Sequence, residues 1–391
     1  MMMSLRDYLN RVKPKFEKGG KFEKLRSTFD AFETFLYVPN KVTSKGAHIR
    51  DAVDLKRTMS VVIIAMMPAL LFGMWNVGYQ YYISIGQHAS LLENFWFGFQ
   101  KVVPIIAVSY ISGLGVEFIF AQYRHHEVNE GFLVTGMLIP LLMPVTIPLW
   151  IVAVSTAFSV LFVKEAFGGT GMNIFNPALM TRAFIFFAYP AKITGDLVWN
   201  WAYTDSSKVV DSITGATPLA NAASDNLAKI PSLYDLFFGF IPGSIGETSK
   251  FAILIGAVLL IITGVASLRI MLSTIAGGVV MTLIFNAIGA NSYMTIDPLT
   301  QILMGGFLFG AVFMATDPVT GSQTPNGKLV YGFLIGLFAI MIRVFNPAYP
   351  EGMMLAILLM NMFAPLIDHV VVRSNVRRRQ KRSLKSSVIT K

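Results

Sequence analysis

Apolar residues run through this chain in long blocks, separated by short polar punctuation. A membrane-spanning helix needs ~20 mostly apolar residues. Measured against that length, ten blocks stand out, at roughly 58–84, 97–122, 131–147, 148–164, 174–190, 251–268, 270–288, 299–316, 329–343 and 351–371. The blocks at 131–147, 148–164 and 329–343 are short for a full crossing. Pro140, Pro144 and Pro148 interrupt the first pair, and Asp317-Pro318 closes the block at 299–316. Proline removes a helical donor, and irregular backbone at membrane depth survives only where protein or a cavity covers it. Blocks 131–147 and 299–316 are therefore expected to be broken or half helices inside the protein. The pattern predicts an all-α polytopic membrane protein of about ten transmembrane helices.

Short motifs recur in the same order in both halves. Gly131-Phe132-Leu133, Met143-Pro144-Val145-Thr146 and Asn176-Pro177-Ala178 are matched by Gly306-Phe307-Leu308, Asp317-Pro318-Val319-Thr320 and Asn346-Pro347-Ala348. With five blocks in each half, the second copy is inverted relative to the first, a layout that places function near the pseudo-two-fold axis. The expected organisation is a basic N-terminal arm (1–57), a first five-helix repeat (58–190), a polar loop (191–250), a second five-helix repeat (251–371) and a basic tail (372–391).

Composition agrees with this picture and adds orientation. The chain is 54% hydrophobic and 14% charged, with mean hydropathy +0.59, against about 25% charged residues in ordinary soluble domains. The net charge of +10 is concentrated at the ends. The tail from Arg373 holds eight basic residues and no acid, and residues 1–57 hold thirteen Lys/Arg and seven Asp/Glu. Beside a membrane span, such runs face anionic lipid on the cytoplasmic side and are not read as nucleic-acid sites. Both termini are thus expected in the cytoplasm, with Arg124, Lys164, Arg269 and Lys328 on the same face and the 191–250 loop on the periplasmic face. The polar first 57 residues show no cleavable signal-peptide pattern. There are no cysteines, so this chain supplies no disulfide and no thiolate for zinc or iron–sulfur clusters. The five histidines form no zinc or paired-haem spacing.

The candidate chemistry lies in the polar segments. In Asp211-Ser212-Ile213-Thr214-Gly215-Ala216-Thr217, small residues leave the backbone bare beside several hydroxyls. Thr217 is either a loop threonine before proline or a hydroxyl that accepts a phosphate, and its loss from a loop is expected to cost little stability. Asn173 and Asn176 precede Pro177, which suits helix capping; their amides also suit the donor and acceptor edge of a heterocycle. Glu130, Asp317 and Asp368 are acids at the ends of apolar blocks. Each is either a solvated boundary carboxylate or part of a cation path lined by broken-helix carbonyls. Arg182 and Arg343 lie in or at apolar blocks, with partners among phosphate, carboxylates or carbonyls. Phe and Lys alternate around residues 13–35, the pattern of an amphipathic surface segment or docking arm.

The heptapeptide ending at Thr217 resembles the acceptor pattern D-x-x-(S/T)-G-A-(S/T), on whose last hydroxyl a flavin transferase attaches FMN through its phosphate. The rest of the chain resembles the B-subunit family of sodium-translocating NADH:quinone oxidoreductases. The matching stretches are Val53–Arg57, His126–Phe132, Phe167–Gly171 running into Asn173, Asn176 and Pro177, Ala188–Pro190, Pro242–Glu247, Met314–Pro318, Asn346–Met354 and Ala364–His369. The resemblance implies covalent FMN at Thr217, with Asp211, Thr214, Gly215 and Ala216 forming the acceptor motif. It implies a non-covalent riboflavin at Asn173 and Asn176, and sodium handling by Asp317, Asp368 and Glu130. It implies a quinone substrate, with a pocket near the head and the Glu127–Phe132 stretch. It further implies a multi-subunit complex in the bacterial inner membrane, with an NADH- and FAD-binding iron–sulfur subunit and a second FMN subunit as partners. No catalytic residue is assigned beyond these sites, and this chain does not oxidise NADH alone. Two other readings remain open: the D subunit of a related Rnf-type ferredoxin:NAD oxidoreductase, and a flavin-free channel or transporter for a small solute.

Overall fold

Every predicted block becomes helical, but the blocks differ in how far they run. The computed structural model describes residues 5–17, 19–22, 26, 29, 30, 33, 37, 45–47, 55–124, 131–204, 215–346 and 351–389. Six helices among them are long and apolar enough to cross a membrane. They are α2 (Leu55–Ser84), α3 (Leu91–Arg124), α5 (Leu149–Ser159, extended to Phe167 by a π turn and a 3-10 turn), α10 (Leu268–Ile288), α13 (Pro325–Phe345) and α14 (Met353–Ile389). Shorter apolar helices are α4 (Phe132–Leu141), α6 (Pro177–Ala188) and α9 (Lys250–Ile262). The remaining helices are α1 (Leu5–Val12), α7 (Pro218–Ala223), α8 (Leu233–Phe238), α11 (Pro298–Leu303) and α12 (Phe307–Phe309), the last continued by a π turn over Gly310–Met314. No strand occurs among the described residues. The chain is therefore an all-helical, multi-pass membrane protein.

The break expected after α4 is present, and a second falls within the block at 299–316, at two glycines rather than at Asp317-Pro318; each is covered by protein. Helix α4 stops at Leu141, and the proline-rich turn after it is buried. The carbonyls freed there accept from backbone N–H groups of the following polar segment, Gly246 to Leu141 at 2.8 Å and Ile245 to Met143 at 3.3 Å. The second break falls between α11 and α12, at Gly305 and Gly306. Here Arg343 on α13, fully buried, donates to the carbonyls of Gln301 and of Met304, the latter at 3.3 Å. Interior position thus replaces lipid exposure at both sites, as the cost of unmade backbone bonds in a membrane demands.

Two expectations are corrected. Blocks 148–164 and 329–343 are not short: the helices built on them reach 19 and 21 residues. The 191–250 segment is not wholly an external loop, because its last residues, 244–250, are buried among the helices. Gly73 on α2 permits this, since a Cβ there would sit 2.0 Å from the Ile245 carbonyl. Helices α10 and α13 pack closely through Gly277 and Gly336, where an added Cβ would lie 2.0 and 1.9 Å from facing carbonyls, the small-residue contact favoured between membrane helices. In the N-terminal arm, Phe16 stacks on Phe22 and Phe29, and Lys13 pairs with Glu33 at 2.7 Å.

Candidate functional site

Thr217 is not a plain loop residue. It caps α7: its Oγ1 accepts from the Ala220 N–H at 3.2 Å, with Pro218 at the first helical position. Loss of such a cap costs about 1 kcal/mol, more than the loop reading predicts. Helix α7 is seated on the second break, where Leu219 fills the space above Gly305, whose φ is +60°. Gly215 is also explained differently. A Cβ there would lie 2.3 Å from the Asp196 carbonyl and 2.6 Å from the Tyr203 ring. Its missing side chain lets the chain pack on itself and does not leave open backbone. Burial, with the Asp196 carboxylate nearby, raises the Tyr203 phenol above its ordinary value, so it is protonated at neutral pH. Ala216 is half-buried. Asp211 and Thr214, with the rest of 205–214, lie outside the described residues.

Thr217 lines a cleft of about 760 Å³ including its open mouth. Its charged lining is buried at Arg182, Glu247 and Lys250 and half-buried at Glu351. Arg182 on α6 donates to Glu247 at 2.9 Å and to Ser244 at 3.4 Å, and pairs with Glu351. That guanidinium therefore joins the first half of the chain to the polar segment and to the start of α14. Lys250, fully buried, donates to the backbone carbonyls of Glu247 at 2.9 Å and Thr248 at 3.1 Å. Glu247, Lys250 and Glu351 were not singled out from the sequence. Two of them bound apolar blocks, where a charge reads as solvated, and Arg182 lies 65 positions from Glu247 and 169 from Glu351. Only folding brings them together.

A second cleft, of about 810 Å³, gathers Asn173, Asn176 and Asp317, with Thr170 and Lys164. Asn176 is a helix cap, accepting from Ala178 at 2.9 Å and Leu179 at 3.3 Å. Its amide nitrogen is free of that duty and donates to Asp317 at 3.2 Å. The capping and the binding readings of Asn176 are thus compatible, because each uses a different atom. Asn173 donates to the Phe175 carbonyl at 2.9 Å. Asp317 also accepts from Val319 N–H and the Thr320 hydroxyl, both at 3.0 Å. The contact joins the Asn-Pro motif of the first half of the chain to the Asp-Pro motif of the second.

Asp368 on α14 lies elsewhere, pinning the turn before α13. It accepts from Ser322 Oγ at 2.7 Å, Gln323 N–H at 2.7 Å, and both N–H and Oγ1 of Thr324. Three of these donors converge on Oδ1 and one on Oδ2. Asp317 and Asp368 therefore grip one stretch, 317–324, from two sides. Glu130 lies outside the described residues. Among the described residues, no three His, Asp or Glu side chains converge as a metal cluster.

Lys164, expected at a cytoplasmic loop, is buried and paired with Glu117 of α3, also buried. An acid inside an apolar block is itself a signal; Glu117 sits within the block at 97–122 and carried it unnoticed. The neighbouring Arg124–Glu165 pair closes the same corner at 3.6 Å.

The sequence matches the model of the NQR2, RnfD, RnfE family over residues 42–377. It is 46% identical over 414 aligned positions to the B subunit of a Na(+)-translocating NADH-quinone reductase of Chromohalobacter salexigens, covering 99% of each chain. It is 44% identical to proteins of the same name from Ectopseudomonas mendocina, covering 98% of this chain and 100% of the relative, and from Pseudoalteromonas atlantica, covering 97% and 100%.

Proposed function

The chain belongs to the NQR2, RnfD, RnfE family, and from that premise we propose that it is the membrane-embedded B subunit of a sodium-translocating NADH:quinone oxidoreductase. Relatives of that name, alike over nearly their whole length, favour it over the Rnf D subunit. A flavin-free solute channel has no such support. In this reading the chain sits in the bacterial inner membrane with other subunits, one of which oxidises NADH. Its termini are cytoplasmic and its Thr217 loop is periplasmic.

The observation that carries the flavin assignment is the position of Thr217. Its hydroxyl lines an open cleft whose wall carries buried cations and an apolar face, room for a group attached through the hydroxyl. The buried hydroxyl of Thr248 lines the same cleft without a hydrogen-bond partner among the described residues. The residues present thus fit FMN joined through its phosphate to Thr217. Bound there, the flavin supplies reversible electron acceptance; the protein supplies orientation and electrostatics. The cleft at Asn173 and Asn176 suits riboflavin, which is held by hydrogen bonds alone. Asp317 lines that cleft and is the better placed of the two described acids for a sodium path. Asp368 acts by holding the 322–324 turn, and Glu130 remains a candidate from its sequence position. Quinone is the electron acceptor, near the Gly131-Phe132 end of the same cleft.

Extraction of the denatured complex tests the two flavins separately. Covalent flavin stays with the protein pellet and disappears in Thr217→Ala. Free riboflavin enters the supernatant and falls in Asn173→Ala. A pellet flavin on this chain that survives Thr217→Ala contradicts the first assignment; unchanged supernatant riboflavin contradicts the second.

A further inference from the structure

The buried cations beside Thr217 are not equivalent. Arg182 has both nearby carboxylates, Glu247 and Glu351, as ion-pair partners. Lys250 has none within ion-pair distance among the described residues; its ammonium rests on two backbone carbonyls. Formally, three cations, Arg182, Lys250 and Arg343, face two carboxylates, Glu247 and Glu351. Burying an ammonium costs several kcal/mol unless a negative partner repays it. Yet this one is fully buried and lines the cleft that Thr217 opens onto.

The remaining lining points to the kind of partner. Ile193, Trp199 and Ile241 give an apolar, partly aromatic wall that suits a planar ring. Ser244 and Thr248 add buried hydroxyls, and Thr248 Oγ1 has no partner among the described residues. A flavin that takes up two electrons and one proton gains one negative charge. We propose that the ring of the Thr217-linked flavin occupies this cleft, and that Lys250 is the counter-charge that stabilises its reduced form, with Thr248 as a hydrogen-bond partner of the ring. The inference rests on the flavin reading of Thr217 and adds the residues that set its potential.

The test is an anaerobic redox titration of the whole purified complex. The Thr217-linked flavin is identified as the component missing from Thr217→Ala. Lys250→Met should make this flavin harder to reduce, by about tenfold in its oxidised-to-reduced equilibrium, or about 30 mV lower for a two-electron couple. Thr248→Val should shift it the same way by less. Lys229→Met, an exposed lysine outside the cleft, carries the same change in net charge and should leave the potential in place. Covalent fluorescence of the denatured band is read in parallel. A fluorescent Lys250→Met chain whose potential matches wild type overturns the proposal while leaving Thr217 as the attachment site. If Lys250→Met fails to assemble, Thr248→Val decides, and an unshifted potential there overturns it equally. Absence of fluorescence from wild type itself removes the attachment reading, and the proposal with it.

Discussion

The two clefts solve the burial of charge in opposite ways. At Thr217, ions from distant parts of the chain meet, and the Lys250 ammonium has no carboxylate within ion-pair distance among the described residues. Around Asn176, the one lysine has its own carboxylate in Glu117, and Asp317 is held by an amide, a hydroxyl and a backbone N–H. The first arrangement ties three segments together and leaves positive charge available to a ligand. The second pairs its lysine locally and holds the Asp317 carboxylate by hydrogen-bond donors. A phosphate-linked, charge-changing group suits the first, and a neutral heterocycle suits the second.

The strongest way to break this contrast is to remove the shared cation of the first cleft. Arg182→Met leaves Glu247 and Glu351 buried without their partner and should cost about 3–5 kcal/mol, read as a lower unfolding midpoint of the purified complex. A change near zero means water already compensates those carboxylates. Next is Asp368→Ala, which strips the 322–324 turn of its acceptor; because water reaches this half-exposed carboxylate, the net loss should be that of one hydrogen bond to a charged group, about 1.5–3 kcal/mol. It should lower stability and sodium-dependent quinone reduction together. Asp317→Ala sharpens the distinction, because it should reduce the sodium dependence while both flavins stay bound. Unchanged sodium dependence in both variants removes these acids from the cation path. The smallest effect is at Asn176. Asn176→Ala should cost about 1 kcal/mol as a lost cap, whereas Asn176→Asp keeps the cap but sets a second carboxylate against Asp317. An Asn176→Asp variant as stable as wild type contradicts the close contact between the halves.

Legibility differed in the same way between the regions. The helices could be read because each is a local run of apolar residues, and the first break because proline acts on its own turn; the second falls at Gly305-Gly306, where no proline marks it. Asn176 as a cap was visible from Asn-Pro alone. What covers each break was not: Gly246 and Arg343 come from elsewhere in the chain. The motif ending at Thr217 drew attention to a hydroxyl that lines a cleft, but the surrounding ions stayed hidden. Lys250 and Glu351 flank apolar blocks, where a charge looks wet, and nothing local distinguishes a snorkelling side chain from a buried one. Gly215 shows the reverse error, a small residue taken for access that serves packing.

The most direct measurement is ultraviolet fluorescence of the denatured chain in a gel, produced in cells that contain the flavin transferase. Wild type should run beside Thr217→Ser, which keeps both cap and hydroxyl, and Thr217→Ala, which keeps neither. A fluorescent band in wild type and Thr217→Ser, absent from Thr217→Ala, is the predicted result. A dark wild-type band beside a fluorescent flavinylated control contradicts the account, and leaves Thr217 as a helix cap alone.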